Sequence, residues 1–543
     1  MKKLLAIAML AALLTAASGL VASARAEELC AAPVATASGP VVGASDAASA
    51  ICVWKGIPYA APPTGALRFR APQPTPPWTE PRPAQTFGPV CMQVPAKDGM
   101  SEDCLYLNVW RPRKSGVFPV MVWIHGGGYV MGSGGGGLGG TGYDGSSLAY
   151  LGDVVVVTIN YRLHLFGFLA DPALREEDPN KSAGNYGSLD QVAAIRWVHD
   201  NIAGFGGDPA NVTIFGESAG GWSICTMLAT PRNRGMFQRA ILESGGCEKS
   251  EDLEAGYERG RAIAAKVGCQ PGDLNCLRAV PAEKFMQGSL VALYREGMAY
   301  APHHDGYLLT GTPLSMIRAG DFNRVPFLAG FNRNEVDAVL VARPQLWNAL
   351  PFQYEAVIQR NLGLTPAESA RLMALYALRD FDNRPRQAYG KMFTDVGLAC
   401  PTYLGLDALA NQGLPTFFYR FDFDRNRYGK RIGALHALEV PLVFNMVASG
   451  DGGIYRGDGL PAARALARTI EGYWTNFAKS GDPNGPGLPA WPQFQPEARN
   501  LLVLDEAIRV EPAGMAERCA FWEEYADRHP TMETTLGRRQ KEK

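Results

Sequence analysis

VTIFGESAGG, residues 212–221, is the stretch on which the reading of this chain turns. Val212 to Phe215 are β-branched or aromatic, as in a short strand. Gly216-Glu217-Ser218-Ala219-Gly220 follows, a G-x-S-x-G pentapeptide, and a helix is predicted from Ala219 onwards. Strand, sharp turn and helix in that order hold a serine in a strained backbone conformation and lift its hydroxyl clear of a sheet. The flanking glycines let strand and helix approach closely. The helix N-terminus behind the serine favours developing negative charge. Ser218 is therefore the candidate nucleophile.

Working outward, the same alternation recurs. Pro119 to Ile124 (PVMVWI) is a short apolar strand ending at a glycine cluster. Val154 to Ile159 (VVVVTI) is almost entirely β-branched, the composition of a strand buried on both faces of a parallel sheet. Gln191 to Asn201 has apolar residues at helical spacing, and Pro326 to Ala329 repeats the short-strand pattern. Strands alternating with helices predict a doubly wound α/β sheet. Residues 58–83 are dense in proline, which excludes helix interior and central strand and predicts extended surface chain. Gly132 to Gly142 (GSGGGGLGGTG) is either a flexible rim of a site or a tolerated surface insertion.

A serine hydroxyl attacks a carbonyl only when a base takes its proton and donors receive the resulting oxyanion. His125-Gly126-Gly127-Gly128 ends the strand PVMVWI. Consecutive glycines allow backbone N–H groups to face an oxyanion unobstructed, and Ala219 after the serine supplies another. With the order serine, acid, histidine, the chain's seven histidines reduce quickly. His125, His164 and His199 precede the serine, and His529 lies near the tail. His303 and His304 leave too little chain for an intervening acid and read as an exposed loop pair. His436, in Gly433-Ala434-Leu435-His436, remains as the base. Glu335 and Asp337 both follow the strand at Pro326, and the physics of orienting an imidazole does not choose between them. Activity is expected to fall below about pH 6 to 7 as the base protonates.

The net charge of −1 and the pI near 6.7 carry none of the basic excess of a nucleic-acid binder. Lys2, Lys3, the apolar run Leu4 to Leu14 and Ala24-Arg25-Ala26 read as a secretory signal over residues 1–26. Export makes disulfides admissible for the ten cysteines. Cys91 with Cys104, and Cys269 with Cys276, are close enough for short-loop bridges, the alternative being buried thiols. Cys30, Cys52, Cys225, Cys247, Cys400 and Cys519 cannot be paired from sequence. None has the spacing of a metal site. Residues 27–530 read as one domain and 531–543 as a polar tail.

Lys55 to Phe69 (KGIPYAAPPTGALRF), Glu102 to Trp110 (EDCLYLNVW) and Phe205 to Gly221 resemble the type-B carboxylesterase family. The resemblance runs from about Trp54 to Tyr525. It implies an α/β-hydrolase fold, a large mostly parallel sheet flanked by helices, in a single catalytic domain. It implies ester hydrolysis through an acyl-enzyme by Ser218, Glu335 and His436, with Gly127, Gly128 and Ala219 as oxyanion donors and no cofactor or metal. Glu335 is selected because the family acid ends G-x-N-x-x-E, here Gly330 to Glu335. It also supports the pairs Cys91–Cys104 and Cys269–Cys276. The chain departs from the family at Val336, where relatives have glycine, which keeps Asp337 in reserve, and at His164, where relatives often have a small residue. The loop from Cys91 to Cys104 is shorter than in cholinesterases and argues against a quaternary-ammonium substrate, which needs an aromatic cage. The expected partner is a small-molecule ester, for a secreted protein with no membrane span once the signal is removed. No oligomeric state is implied. The rival reading is a non-catalytic binding protein on the same fold; amides, carbamates and thioesters are rival bonds for the same machinery.

Overall fold

All six residues from Val154 to Ile159 are buried. Val155, Val157 and Ile159 pack into one hydrophobic core, and Val154 and Val156 into another. A strand whose alternate side chains feed two separate cores lies in a sheet covered on both faces. Each such side chain contributes about 1.5–3 kcal/mol by leaving water. The computed structural model describes residues 30–529, apart from 47–49, 95–97, 137–141, 287–299, 338–339, 341–342, 430–431 and 448–452. The signal read at 1–26 and the tail read at 531–543 lie outside the described residues.

The central sheet has eleven strands. They are β1 Ala44–Asp46, β2 Ile51–Pro58, β3 Tyr106–Pro112, β4 Phe118–Ile124, β5 Val155–Ile159, β6 Gly207–Glu217, β7 Arg239–Glu243, β8 Phe327–Asn332, β9 Thr416–Phe421, β10 Asn500–Leu504 and β11 Arg509–Pro512. Their order across the sheet is β11-β10-β9-β8-β7-β6-β4-β5-β3-β2-β1. The run from β10 to β5 is parallel throughout, and both margins are antiparallel. Helices α1 Tyr186–Asn201, α2 Ala219–Ala229 and α3 Pro385–Thr394 contribute to one core, and α4 Gly459–Ser480 to the other.

Two predicted elements grow at their N-terminal ends. α1 starts at Tyr186 rather than Gln191, because Asp190 is wholly buried and takes Arg162 Nε and Nη2 at 2.8 and 2.7 Å. A polar residue inside the packed face conceals that turn from a periodicity argument. β6 starts at Gly207, with its register against β4 shifting between Gly207 and Val212. The proline-rich segment runs as extended chain with one short 3₁₀ turn, Gly65–Leu67.

One expectation is corrected. His303 and His304 are not an exposed loop pair: they form a two-residue strand, and His303 is fully buried, with Nε2 at 2.9 Å from Glu251 Oε1 and Nδ1 at 2.9 Å from Gly184 O. The glycine segment is anchored where it is described, since Gly134 N donates to Asn160 Oδ1 at 2.7 Å; residues 137–141 lie outside the described residues.

All ten cysteines are paired: Cys30–Cys52, Cys91–Cys104, Cys225–Cys247, Cys269–Cys276 and Cys400–Cys519. No helix among the described residues is long and apolar enough to cross a membrane.

Candidate active site

In a parallel sheet, functional groups collect beyond the carboxyl ends of the strands. Gly126 to Gly128 follow β4, Ser218 follows β6, Glu335 follows β8 and His436 lies in the connection leaving β9. β4, β6, β7, β8 and β9 are consecutive neighbours, so four distant stretches of chain meet at one edge.

Ser218 has φ 58° and ψ −119°, a left-handed backbone that a side-chain-bearing residue adopts at a cost of about 1–3 kcal/mol. The surroundings over-determine it. Its N–H donates to Glu243 O of β7 at 2.9 Å, and its carbonyl accepts from Trp222 N at 2.9 Å, opening α2. A Cβ at Gly216 would sit 2.6 Å from Ile124 O, and a Cβ at Gly220 would drive into the same carbonyl. These two contacts are why the pentapeptide needs glycine at both ends.

Gly126 packs against Glu217 and Ser218, with only 3.0 Å between its missing Cβ and the Ser218 Cβ. The segment beyond it turns sharply, with φ 108° at Gly127 and 62° at Gly128. Among the described residues, the N–H groups of Gly127, Gly128 and Ala219 make no hydrogen bond. His125 is buried and stacked on Tyr161, with ring centroids 4.4 Å apart, and burial lowers its pKa to about 4. It is a neutral packing residue.

His436 Nδ1 lies 2.7 Å from Glu335 Oε2. A carboxylate only accepts, so Nδ1 carries the proton. Glu335 is itself held, because its Oε1 accepts from Asn332 N at 2.6 Å. Asn332 Nδ2 donates to Leu435 O at 2.6 Å and also to Glu439. Among the described residues Asp337 makes no hydrogen bond to the imidazole. Its Oδ2 accepts from Asn334 Nδ2 at 3.2 Å, and its side chain fills the space beside Gly390 on α3. Val336 has no positive φ, so the backbone here does not require the glycine that relatives carry.

Sequence reasoning missed the carboxylates behind the histidine. His436 Nε2 lies 3.1 Å from Glu217 Oε1, and the imidazole makes no hydrogen bond to Ser218 among the described residues. Glu217 is the unspecified second residue of the pentapeptide, so its position was on the page but its direction was not. Glu439 is buried behind it, and Ser244 Oγ reaches Glu439 Oε1 at 3.5 Å. Burial of His436 favours its neutral form, but the charges of Glu217 and Glu335, the hydrogen bond to Glu335 and the charge of Glu439 outweigh burial and raise it to about 10. That exceeds the ordinary imidazole range assumed from sequence. Burial likewise raises Glu217 to about 7, opposed by the His436 charge and reinforced by Glu335. Burial also raises Glu439 well above the carboxylate range. No group of three or more metal-ligating side chains occurs among the described residues.

A serine on a strand–helix elbow, with a buried acid and a partly buried histidine paired beyond later strands of one parallel sheet, defines an α/β-hydrolase. Residues 31–522 match the carboxylesterase family. The chain is 36% identical to para-nitrobenzyl esterase of Bacillus subtilis, covering 88% of this chain and 96% of that one. It is 33% identical to liver carboxylesterase of Sus scrofa, covering 90% and 92%. A solved carboxylesterase of Geobacillus stearothermophilus superposes with a TM-score of 0.78 at 37% identity, over 90% of this chain and 99% of that one. The chain belongs to the carboxylesterase family, and it is a carboxylic ester hydrolase.

Proposed function

We propose that the protein hydrolyses carboxylic esters through an acyl-enzyme on Ser218, with His436 as base and Glu335 as its acid partner. The observation that carries this reading is the 2.7 Å contact of His436 Nδ1 with a fully buried Glu335 carboxylate, two strands across the sheet from the serine elbow. In the reaction, His436 Nε2 turns from Glu217 to Ser218 and takes the hydroxyl proton as Oγ attacks the ester carbonyl. The N–H groups of Gly127, Gly128 and Ala219 receive the oxyanion. His436 then protonates the leaving alcohol, and water repeats the sequence on the acyl-enzyme. Glu335 keeps the imidazole in the Nδ1–H form and stabilises its cation.

Residues 1–26 act as a secretory signal, 27–530 as the catalytic domain and 531–543 as a polar tail. Five disulfides support an oxidising compartment, periplasmic or extracellular.

Ser218→Ala is expected to lower kcat about 10⁶-fold, with no fluorophosphonate adduct on the variant and a single adduct on Ser218 of the parent. Near-normal ester hydrolysis by the variant would overturn the reading.

A further inference from the structure

Two loops from different strands must keep register for Glu335 to meet His436, and beside the Asn332 amide, which donates to Leu435 O, the Asn334 side chain reaches across them. Asn334 N donates to Ala434 O at 3.0 Å, and Ala434 N donates back to Asn334 Oδ1 at 3.2 Å. The two loops pair as a parallel bridge between Asn334 and Leu435. Gly433, at φ 77°, leaves open the space that the Asn334 amide occupies, and a Cβ there would collide with Oδ1. The other end of the amide, Nδ2, donates to Asp337 Oδ2 at 3.2 Å. Asp337 is seated in turn on α3, where a Cβ at Gly390 would meet its Oδ1 at 2.5 Å.

We propose that Asn334, oriented by Asp337, is a positioning residue that holds the histidine loop in register with the acid loop. An amide suits this place because it accepts at one end and donates at the other. Aspartate could receive Ala434 N but would face the Asp337 carboxylate with a second negative charge. Asp337 thereby fixes the residue that precedes the acid. The inference rests on Glu335 and His436 acting as acid and base. Neither Asn334 nor Asp337 touches the reacting atoms in it.

The test is kinetic, on the full chain, with active sites counted by fluorophosphonate titration so that misfolded protein does not enter kcat. A displacement of about 1 Å in a catalytic group costs on the order of 10²-fold. Asn334→Ala is expected to lower kcat ten- to a hundredfold with KM within twofold. Asn334→Asp is expected to lose a similar factor. The exchanged pair Asn334→Asp with Asp337→Asn restores one donor facing one acceptor and is expected to recover kcat to within about threefold of the parent. Asn334→Ala with kcat within twofold of the parent overturns the proposal, as does an exchanged pair no faster than Asn334→Asp alone. Glu335→Gln and His436→Ala run beside them. If these two lose activity while Asn334→Ala does not, the positioning role fails and the acid–base reading stands. If they stay active, that reading fails first.

Discussion

Replacing Glu217 by glutamine tests the electrostatics behind the histidine. The substitution keeps size and hydrogen-bonding capacity and removes one charge 3.1 Å from His436 Nε2. Opposite charges about 4 Å apart interact by about 4 kcal/mol at an effective dielectric of about 20, and by about 1 kcal/mol in bulk water. His436 is 30% exposed in its side chain, so it lies between those limits. At about 1.4 kcal/mol per pH unit, the His436 pKa falls by roughly one to three units in the variant. The sign follows from the role of the base. In the proposed mechanism His436 takes the serine proton only when neutral, so a lower pKa moves the acid limb of kcat/KM towards lower pH. In the parent, the limb lies above the ordinary imidazole range, because His436 is held up to about 10. Glu217 is itself raised to about 7, so the two profiles separate between pH 7 and pH 10 and converge below. The assay is kcat/KM for a simple alkyl ester by pH-stat, from pH 5 to pH 10, on parent and variant. An acid limb that stays in place, or moves towards higher pH, refutes the reasoning.

Gly220→Ala drives a methyl group into Ile124 O at the base of the elbow. Overpacking of this kind costs about 1–3 kcal/mol, so thermal melting should fall and kcat/KM should drop at least tenfold; unchanged melting and rate would count against the close-approach argument. Glu243→Gln removes a buried carboxyl whose pKa burial raises to about 8, while its amide oxygen can still accept from Trp474 Nε1, now 2.8 Å from Glu243 Oε1. A folded pKa above the unfolded value favours folding below the unfolded pKa, near 4.5, and that advantage is lost as pH rises towards 8. The variant should therefore gain melting temperature over the parent more at pH 9 than at pH 6, and an equal or opposite change would show that the fold does not raise the Glu243 pKa.

How much of the site was legible depended on how locally each constraint is encoded. The elbow at Ser218 and the glycines proposed as oxyanion donors were readable because a strand and a turn are written in consecutive residues. His436 was readable by elimination, since seven histidines leave few alternatives. The carboxylates Glu217, Glu243 and Glu439 were not. Glu217 is the unspecified second residue of the pentapeptide, Glu217 and Glu439 gain a role only through their charge near His436, and Glu243, bonded to Trp474, feels the charge of Glu217. The pairing of six of the cysteines was hidden for the same reason: Cys400 and Cys519 are 119 residues apart and meet only when their helices pack. The buried state of His303 was hidden because Gly184 and Gly256, which make room for its ring, are distant in the chain.

Sequence by itself determined the strand–turn–helix logic, the buried parallel sheet and the identity of the candidate nucleophile, because hydrophobic period and glycine placement act over a few residues. The residues alone left two acids open, the family resemblance favoured Glu335, and tertiary structure puts Glu335 against His436; only tertiary structure decided what links that acid's loop to the histidine's loop and how high the histidine's pKa is set. Those depend on distances and dielectric between segments about a hundred residues apart, Glu335 and His436 being separated by 101 positions. Such distances exist only once the sheet has brought its strand ends together.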